Sequence, residues 1–549
     1  MLSRTFVSGI LLAAGAFAQM SSFPKPSYFR ETFQQARTKV ELRDPVRLKD
    51  FVVSGKLELS LKHYLELVMA NNTDIQLQLL TVETPKNNIQ AAFGAWDPRG
   101  TASFSTTRST SIPRDATQAK NAGSISKNLS QPLSFQYAQT LDTGMSYFVQ
   151  LSGSKSSQTN SLSTYNPGLN SQMRFGVTQP LLQNRGRYVN RIPLMQAQAT
   201  YKVADSTLRS QLLNLVNTAE NVYWNVVLAR ESLHVAEVAR DTSLKLKEYA
   251  QQQLDLGAIS KLDIYGPEQQ LAAAEVTVSQ ARFALASAED ALRHQLGADL
   301  DPDVRKLPVE LTESVEVGPG DAMALDPEQE VRKALATNPA MKGALQRMEA
   351  DDLGIQSAKN GLLPNLAFQV QYTTAGQGGT YFPSNNSLLG DGPAAPIPGG
   401  LGDALGQMFG FGYPTYFASL NLTLPIRSRS ASAAMANALV AKKIDALNVR
   451  NQQQGIRLSI LNAVTNVEGA KEQLKLAQIQ QDFARKNLDA ENQKYQLGTD
   501  ILQNVIQAQR DLVNADTAVI QSQIRLRTDI LALLTQTGEL LDERGIVIK

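Results

Sequence analysis

Two stretches of the chain carry the same heptad seam, and that pairing constrains the fold more than any other feature. In the first, Leu208, Leu212, Leu215, Ala219, Val222, Val226, Ala229, Leu233 and Ala236 alternate spacings of four and three, the signature of helices packed side by side as a coiled coil. Ile456, Ile460, Ala463, Val467, Ala470, Leu474 and Ala477 repeat that spacing. Each seam runs into a Leu-Gly pair, Leu256-Gly257 and Leu497-Gly498, after which a second helical pattern returns. The returning arms match without gaps: Gly257 with Gly498, Leu271 with Leu512, Ala274 with Ala515, Val278 with Val519, Leu292 with Leu533, Gly297 with Gly538. From about Pro193 to Leu256 a continuous helix would run on the order of 90 Å at 1.5 Å per residue. One long helical hairpin is therefore present twice.

Composition removes several classes of chemistry. The chain has no cysteine, so disulfides, thiolate metal sites, cysteine nucleophiles and an acylated N-terminal cysteine are all excluded. His63, His234 and His294 are far apart, each within a helical pattern, which argues against a histidine metal cluster. A formal net charge of +2 gives no basic surface for nucleic acid. At the N-terminus, Arg4, the apolar run Phe6 to Ala16 and the small residues of Ala16-Phe17-Ala18 read as a signal peptide over 1–18. That run is too short to span a bilayer, which needs roughly 20 apolar residues, and no later segment is long enough. An exported chain of this kind meets a membrane through strands or by lying on its surface.

After an extended leader at 19–56, helix signals begin at the cap Ser60 and continue past Asn71-Asn72 to about Phe93. The same opening returns at Asp326-Pro327, with Ala336-Thr337-Asn338 echoing Ala70-Asn71-Asn72. Each leading helix gives way to period-two patterns: Ala102, Phe104 and Thr106 in the first half, Leu366, Phe368, Val370 and Tyr372 in the second. Each half closes on another such strand, Met173-Phe175-Val177 before Gln179-Pro180, and Tyr416 through Leu424 before Pro425, where proline suits a strand exit. Strands apolar on one face and polar on the other fit a membrane barrel with a wet lumen, and fit a half-buried soluble sheet equally well. The first half holds two further strand-like stretches, around Leu133 to Tyr137 and Met145 to Leu151, whose place is left open. Ala375 to Tyr413, rich in Gly, Pro, Ser and Asn, reads as a long irregular outer loop. Four strands, or six, are too few to close a membrane barrel, so the chain is expected to oligomerise.

The motifs Leu59-Ser60-Leu61, Asn71-Asn72, Gln179-Pro180-Leu181-Leu182, Tyr223-Trp224, Leu256-Gly257 and Lys494-Tyr495-Gln496-Leu497-Gly498, in this doubled order, resemble the TolC family of outer-membrane efflux proteins. The resemblance covers almost everything after about residue 57. It implies a mainly α fold with a β-barrel part: a duplicated helix-strand-strand-helix repeat whose coiled-coil hairpins form a periplasmic α-barrel, beside a transmembrane β-barrel shared between protomers. In that family three protomers contribute four strands each to a twelve-stranded barrel set in outer-membrane lipid. The implied role is the exit duct of a tripartite efflux or type I secretion system, a homotrimer taking substrate from a periplasmic adaptor protein and an inner-membrane pump, without cofactor or catalysis. Repeats at 57–310 and 326–549, joined by a linker at 311–325, follow from this reading. A trimeric surface adhesin or structural coiled-coil protein is the alternative; a second strand pair returning to the membrane argues against it.

The resemblance also places a gate. The turns at Gly257 and Gly498 correspond to the periplasmic tip. Tyr495 matches the family's gate tyrosine, and Asp500 stands where some relatives carry arginine. Asn504 and Gln507 occupy positions where many relatives carry carboxylates, so an amide pair replaces a charged ring. As a hypothesis, Tyr495 and Asp500 hold the tip shut against a neighbouring hairpin. Asp263 pairs with Ser260 in a capping-box-like spacing at the start of the returning helix. Two enzyme-like strings are discounted: Asp142-Thr143-Gly144 suits a tight turn between strands, and Gly376-Gln377-Gly378-Gly379 lacks the lysine and helix of a phosphate loop and reads as flexible outer loop. Trp96 is expected as an anchor where helix becomes strand, and Tyr223 and Trp224 as packing residues between helices.

Overall fold

The structure, a computed structural model, describes residues 52–546 apart from 54, 113–124, 160–163, 258, 298–306, 315–324 and 384–394. The expected signal peptide and nearly all of the leader lie outside the described residues, as does most of the linker. Strands β1 (Val52–Val53) and β2 (Lys56–Leu59) precede helices α1 (Leu61–Asn71), α2 (Thr73–Thr81) and α3 (Glu83–Phe93). Strands β3 (Arg99–Phe104), β4 (Thr107–Ser111), β5 (Ser126–Thr140), β6 (Ser146–Gln158) and β7 (Tyr165–Pro180) follow, then the hairpin of α4 (Arg187–Asp255) and α5 (Tyr265–Gln295). After β8 (Val309–Leu311), the second half runs α6 (Pro327–Thr337), α7 (Pro339–Gly361), β9 (Asn365–Tyr381), α8 (Leu401–Phe409), β10 (Pro414–Thr423), α9 (Arg429–Gln496), α10 (Leu502–Thr537) and α11 (Leu540–Glu543).

The leading helices break where the sequence puts their asparagines. Asn72 accepts hydrogen bonds from the N–H groups of Asp74 and Ile75, capping α2, and Asn338 does the same for Ala340 and Met341 at the start of α7. Asp326 caps α6 with Pro327 in its first turn. Helix α4 begins earlier than the seam suggests: its 69 residues take in Pro193, whose missing N–H costs one bond near the helix start.

The two strand-like stretches left open in the sequence join the same sheet as the others. Its order is β10-β9-β7-β6-β5-β3, with β4 also paired to β5, so β3 and β4 form one interrupted edge. Six strands, not the four implied by the resemblance, make one antiparallel wall in a single chain. The outer segment is also more regular than expected. Ala375 to Tyr381 continue β9, and α8 lies against it: a side chain at Gly376 would come within 1.9 Å of the Ala404 carbonyl, and at Gly378 within 2.1 Å of that of Gly400. The glycines are thus strand positions that let a helix backbone approach, not a flexible loop.

Two cores hold the hairpins, the first also drawing in Ile524 and Leu531 of α10 and Leu540 and Leu541 of α11. The first gathers Tyr64, Leu65 and Val68 from α1 with Leu212, Val216, Ala219 and Val227 of α4 and Leu292 of α5. The second gathers Val331 and Ala334 of α6 with all seven seam residues from Ile456 to Ala477 and Val519, Leu526 and Leu533 of α10. Tyr223 and Trp224 pack between helices as expected; the Tyr223 hydroxyl donates to the Leu59 carbonyl, and that of Tyr64 to Ala219. Beside Trp224 the Glu220 carboxylate, 1% exposed, receives two bonds from the Arg544 guanidinium at 3.0 and 2.6 Å and one from the Trp224 indole. The end of the chain is thereby fastened to α4.

Candidate gate at the hairpin turns

Both turns reverse the chain through glycine. Gly257 and Gly498 adopt φ of 74° and 70°, the left-handed conformation that a side chain disfavours, and each donates its N–H back to the helix it ends, to Leu254 and Tyr495. Asp263 is exposed and accepts the Ser260 N–H at 3.0 Å, while the Ser260 hydroxyl oxygen accepts from Leu262 rather than from Asp263. Only half of the expected reciprocal pair forms, and it steadies the connector, because α5 begins two residues later at Tyr265 with no side-chain cap.

Tyr495 leaves its own hairpin. Its hydroxyl donates to Gln253 on α4 at 2.9 Å, and its ring meets the Tyr249 ring edge-on at 6.1 Å. Burial pushes its phenol up from the usual tyrosine range, with Tyr249 and Asp263 adding to the shift, so the hydroxyl stays protonated as a donor. Asp500 stays local: it accepts the N–H of Ile501 and the amide of Asn504, both at 2.7 Å. Hydrogen bonding with the Glu491 carboxyl, then with Ile501 and Asn504, holds the Asp500 carboxyl below its usual range. Tyr495 and Asp500 therefore act on different partners within this chain. Asn504 and Gln507 are exposed, and the Gln507 amide donates to Asp511 at 2.9 Å. The two amides are flanked by carboxylates one turn away on each side, Asp500 and Asp511.

Three contacts between the hairpins escape a sequence reading. Gln509, 4% exposed on α10, reaches Ser243 and the Ala239 carbonyl of α4 at 3.3 and 3.5 Å; Arg510 donates to Gln270 of α5 at 2.7 Å; and Gln253 receives Tyr495. Gln509 sits four residues after the buried Val505, so a polar residue in an apolar seam was the available signal.

The strand exits are unequal. Pro180 ends β7, and the chain beyond it is braced by two bonds between Asn184 and Asn360 and by the β5–β6 turn, whose Asp142 pairs with Arg187 and Arg191 of α4. Asp142 is thus a turn residue and a latch. Pro425 lies exposed beyond β10, with no such bracing among the described residues. Trp96 closes a short turn at the helix-to-strand junction, its carbonyl accepting from Gln139 of β5.

The sheet has one apolar face and one polar face. Directly paired residues share a face, and the row Gly100, Tyr137, Val149, Phe175, Tyr372, Tyr416 crosses all six strands. The neighbouring row, on the opposite face, is Thr101, Gln136, Gln150, Arg174, Thr373, Thr415. Phe104, Phe135, Leu420 and Leu422 extend the apolar face and are exposed. Among the described residues no helix is long and apolar enough to cross a membrane; the sheet has the faces to do so.

Such a wall, joined to hairpins far longer than a bilayer is thick, defines a channel-forming outer-membrane protein. The chain belongs to the outer membrane efflux protein family, whose model matches residues 148–298 and 331–539, over half of its length. It is an efflux exit duct of a Gram-negative outer membrane, with its hairpins in the periplasm. No curated protein sequence matches it. Its fold is similar to that of CusC at 13% identity, covering 92% of this chain and 99% of that one with a TM-score of 0.60. The CmeC outer membrane channel of Campylobacter jejuni matches at 15% identity, 92% and 90% coverage and 0.56. The MtrE outer membrane channel of Neisseria gonorrhoeae, solved in an open state, matches at 15%, 88% and 89%, and 0.55.

Proposed function

We propose that three copies of this chain, matured by removal of 1–18, form a passive duct. It receives substrate from a periplasmic adaptor and an inner-membrane pump in a tripartite efflux or type I secretion system. The observation that carries the assembly is the pair of open sheet edges, β10 and the β3–β4 edge, on a wall whose apolar face suits lipid. An open edge leaves N–H and C=O groups unpaired, which hydrocarbon does not tolerate, and β10 and β3 run in opposite directions, so one copy's edge continues into the next. The helices support the same reading. Besides its buried seam, α9 carries a second stripe, Val440, Ile444, Leu447, and then Leu476, Ile479, Phe483, that is exposed in the single chain and fits a neighbouring copy.

In this reading the turns around Gly257 and Gly498 form the periplasmic tip. Tyr495 locks one hairpin to the other through Gln253, Asp500 shapes the second turn, and Asp263, Asn504 and Gln507 face the passage. The adhesin alternative is disfavoured by the family match. Single-channel recording of the purified oligomer in a planar bilayer tests the duct and its gate together. Discrete channels are expected, with Tyr495→Phe raising mean conductance. Channels unchanged by both Tyr495→Phe and Asp263→Ala would keep the duct and remove the gate from this end; a folded, membrane-extracted oligomer without channels would overturn the duct.

A further inference from the structure

The family's implied wall is twelve strands, four from each of three chains, yet each chain here builds six. The question is whether β5 and β6 belong to the membrane wall or fold aside. Three observations place them in it. First, the hairpin sits in the middle of the sheet: β6 pairs with β7 over the full run from Ser146–Thr178 to Ser156–Gly168, and β5 carries β3 and β4 on its other side. Removing it from the wall would part β3 and β4 from every other strand of the sheet. Secondly, its turn lies at the helical end. Asp142 pairs with Arg187 and Arg191, and Gly144 (φ 86°) comes so close to the strand exit that an added side chain would meet the Asn184 carbonyl at 2.3 Å. The hairpin therefore starts at the same level as the strand-to-helix junction and runs the height of the wall, instead of standing above it. Thirdly, its faces match those of its neighbours: Phe135, Tyr137, Val149 and Leu151 continue the apolar face, and Ser134, Gln136, Gln150 and Ser152 the polar one. A strand outside the membrane has no need of an apolar face in phase with a lipid-facing one.

We infer that the assembled wall has eighteen strands, six per chain, and is about half as wide again as a twelve-stranded one; this rests on the trimer proposed above. With strands about 4.8 Å apart and tilted by about 40°, the circumference rises from roughly 75 to roughly 113 Å and the backbone diameter from about 24 to about 36 Å. The β-barrel is then wide enough to leave an aqueous channel of porin class, and passage is limited at the hairpin turns rather than in the membrane.

The absence of native cysteine makes the test direct. Single cysteines are placed on the two faces of the hairpin, Gln136→Cys and Gln150→Cys against Tyr137→Cys and Val149→Cys, with Gln371→Cys and Val370→Cys of β9 as standards. Intact outer-membrane vesicles are treated with a membrane-impermeant maleimide, and native mass spectrometry of the detergent-extracted oligomer counts the chains. A thiol in hydrocarbon forms little thiolate and meets no water, so the Gln-derived positions are expected to label ~10-fold faster than the apolar ones, in β5 and β6 as in β9. Three chains with that alternation support eighteen strands. Three chains with β5 and β6 labelled equally on both faces overturn the inference and leave the trimer standing. A count other than three overturns the trimer and the total of eighteen, while the alternation still decides whether each chain contributes six.

Discussion

The stretches of the hairpins beside the leading helices and those near the turns are held differently. Near the sheet and the leading helices, α4 buries Leu208, Leu212, Leu213, Val216, Ala219, Tyr223, Trp224, Val226 and Val227 within two dozen residues; towards the turn it buries only Ala236, Ser243 and Ala250. Helix α9 repeats the contrast, with buried residues from Val449 to Ala477 and none from there to its end at Gln496. At the root, apolar area and a buried ion pair hold the helices. Towards the turns Val505, Ile506 and Ala508 of α10 are still buried, but α4 and α9 add little apolar area there and polar bonds join the hairpins: Tyr495 to Gln253, Gln509 to Ser243, Arg510 to Gln270. Burying a large aliphatic side chain contributes about 1.5–3 kcal/mol, whereas a neutral hydrogen bond nets about 1 kcal/mol because water competes for both partners. Apolar packing is therefore densest beside the leading helices and thinner towards the turns, where local opening costs least.

Substitutions at the two ends should separate them. The largest effect is expected from Arg544→Ala, which leaves the Glu220 carboxylate buried beside Trp224 without its cation. A loss of about 3 kcal/mol, seen as a lowered thermal midpoint of the detergent-solubilised oligomer, would confirm the root as the stable end. A midpoint unchanged by this variant would dissolve the contrast. Gln509→Ala comes next: losing its bonds to Ser243 and Ala239 should cost about 1 kcal/mol. It should raise channel open probability more than it lowers the thermal midpoint, since the contact ties hairpin to hairpin nearer the turn. The reverse ranking would make Gln509 a plain packing residue.

The smallest expected effect is one of pH. Because the folded Asp500 carboxyl lies below its ordinary range, its ionised form favours the bonded turn at all pH above the ordinary aspartate value of about 3.9. That contribution is lost only as pH falls through the lower folded value. Conductance should therefore hold steady from neutrality to about pH 4 and rise below it in the native chain, while Asp500→Asn should lack that step. A step common to both would assign the pH response to another group. Tyr495, shifted upward, keeps its proton throughout this range and does not contribute to it.

Much of this architecture is written locally. The heptad seams, the capping asparagines Asn72 and Asn338, the paired glycine turns and the period-two runs each depend on a few neighbouring residues, so spacing alone places the hairpins and strands. The buried seam from Ile456 to Ala477 is the clearest case, since every predicted member is buried. The gate residues were placed by likeness, and the bond of Tyr495 could not be read in advance because Gln253 lies far from it in the chain and has no pattern of its own. Gly376 and Gly378 misled for a related reason: glycine in a polar stretch reads as a loop until the helix that needs the space is seen against it.

What the sequence by itself determined is the long helices and most of the strands, though not α8 or the end of β9, and that the hairpin occurs twice, because periodicity and caps are properties of consecutive residues. Only the tertiary structure decided that β5 and β6 enter the wall, that Asp142 latches their turn to α4, and that the hairpins are joined through Gln509 and Tyr495. Those outcomes depend on register and close approach between residues distant in the chain, and pairing energy between strands carries no mark in either strand read alone.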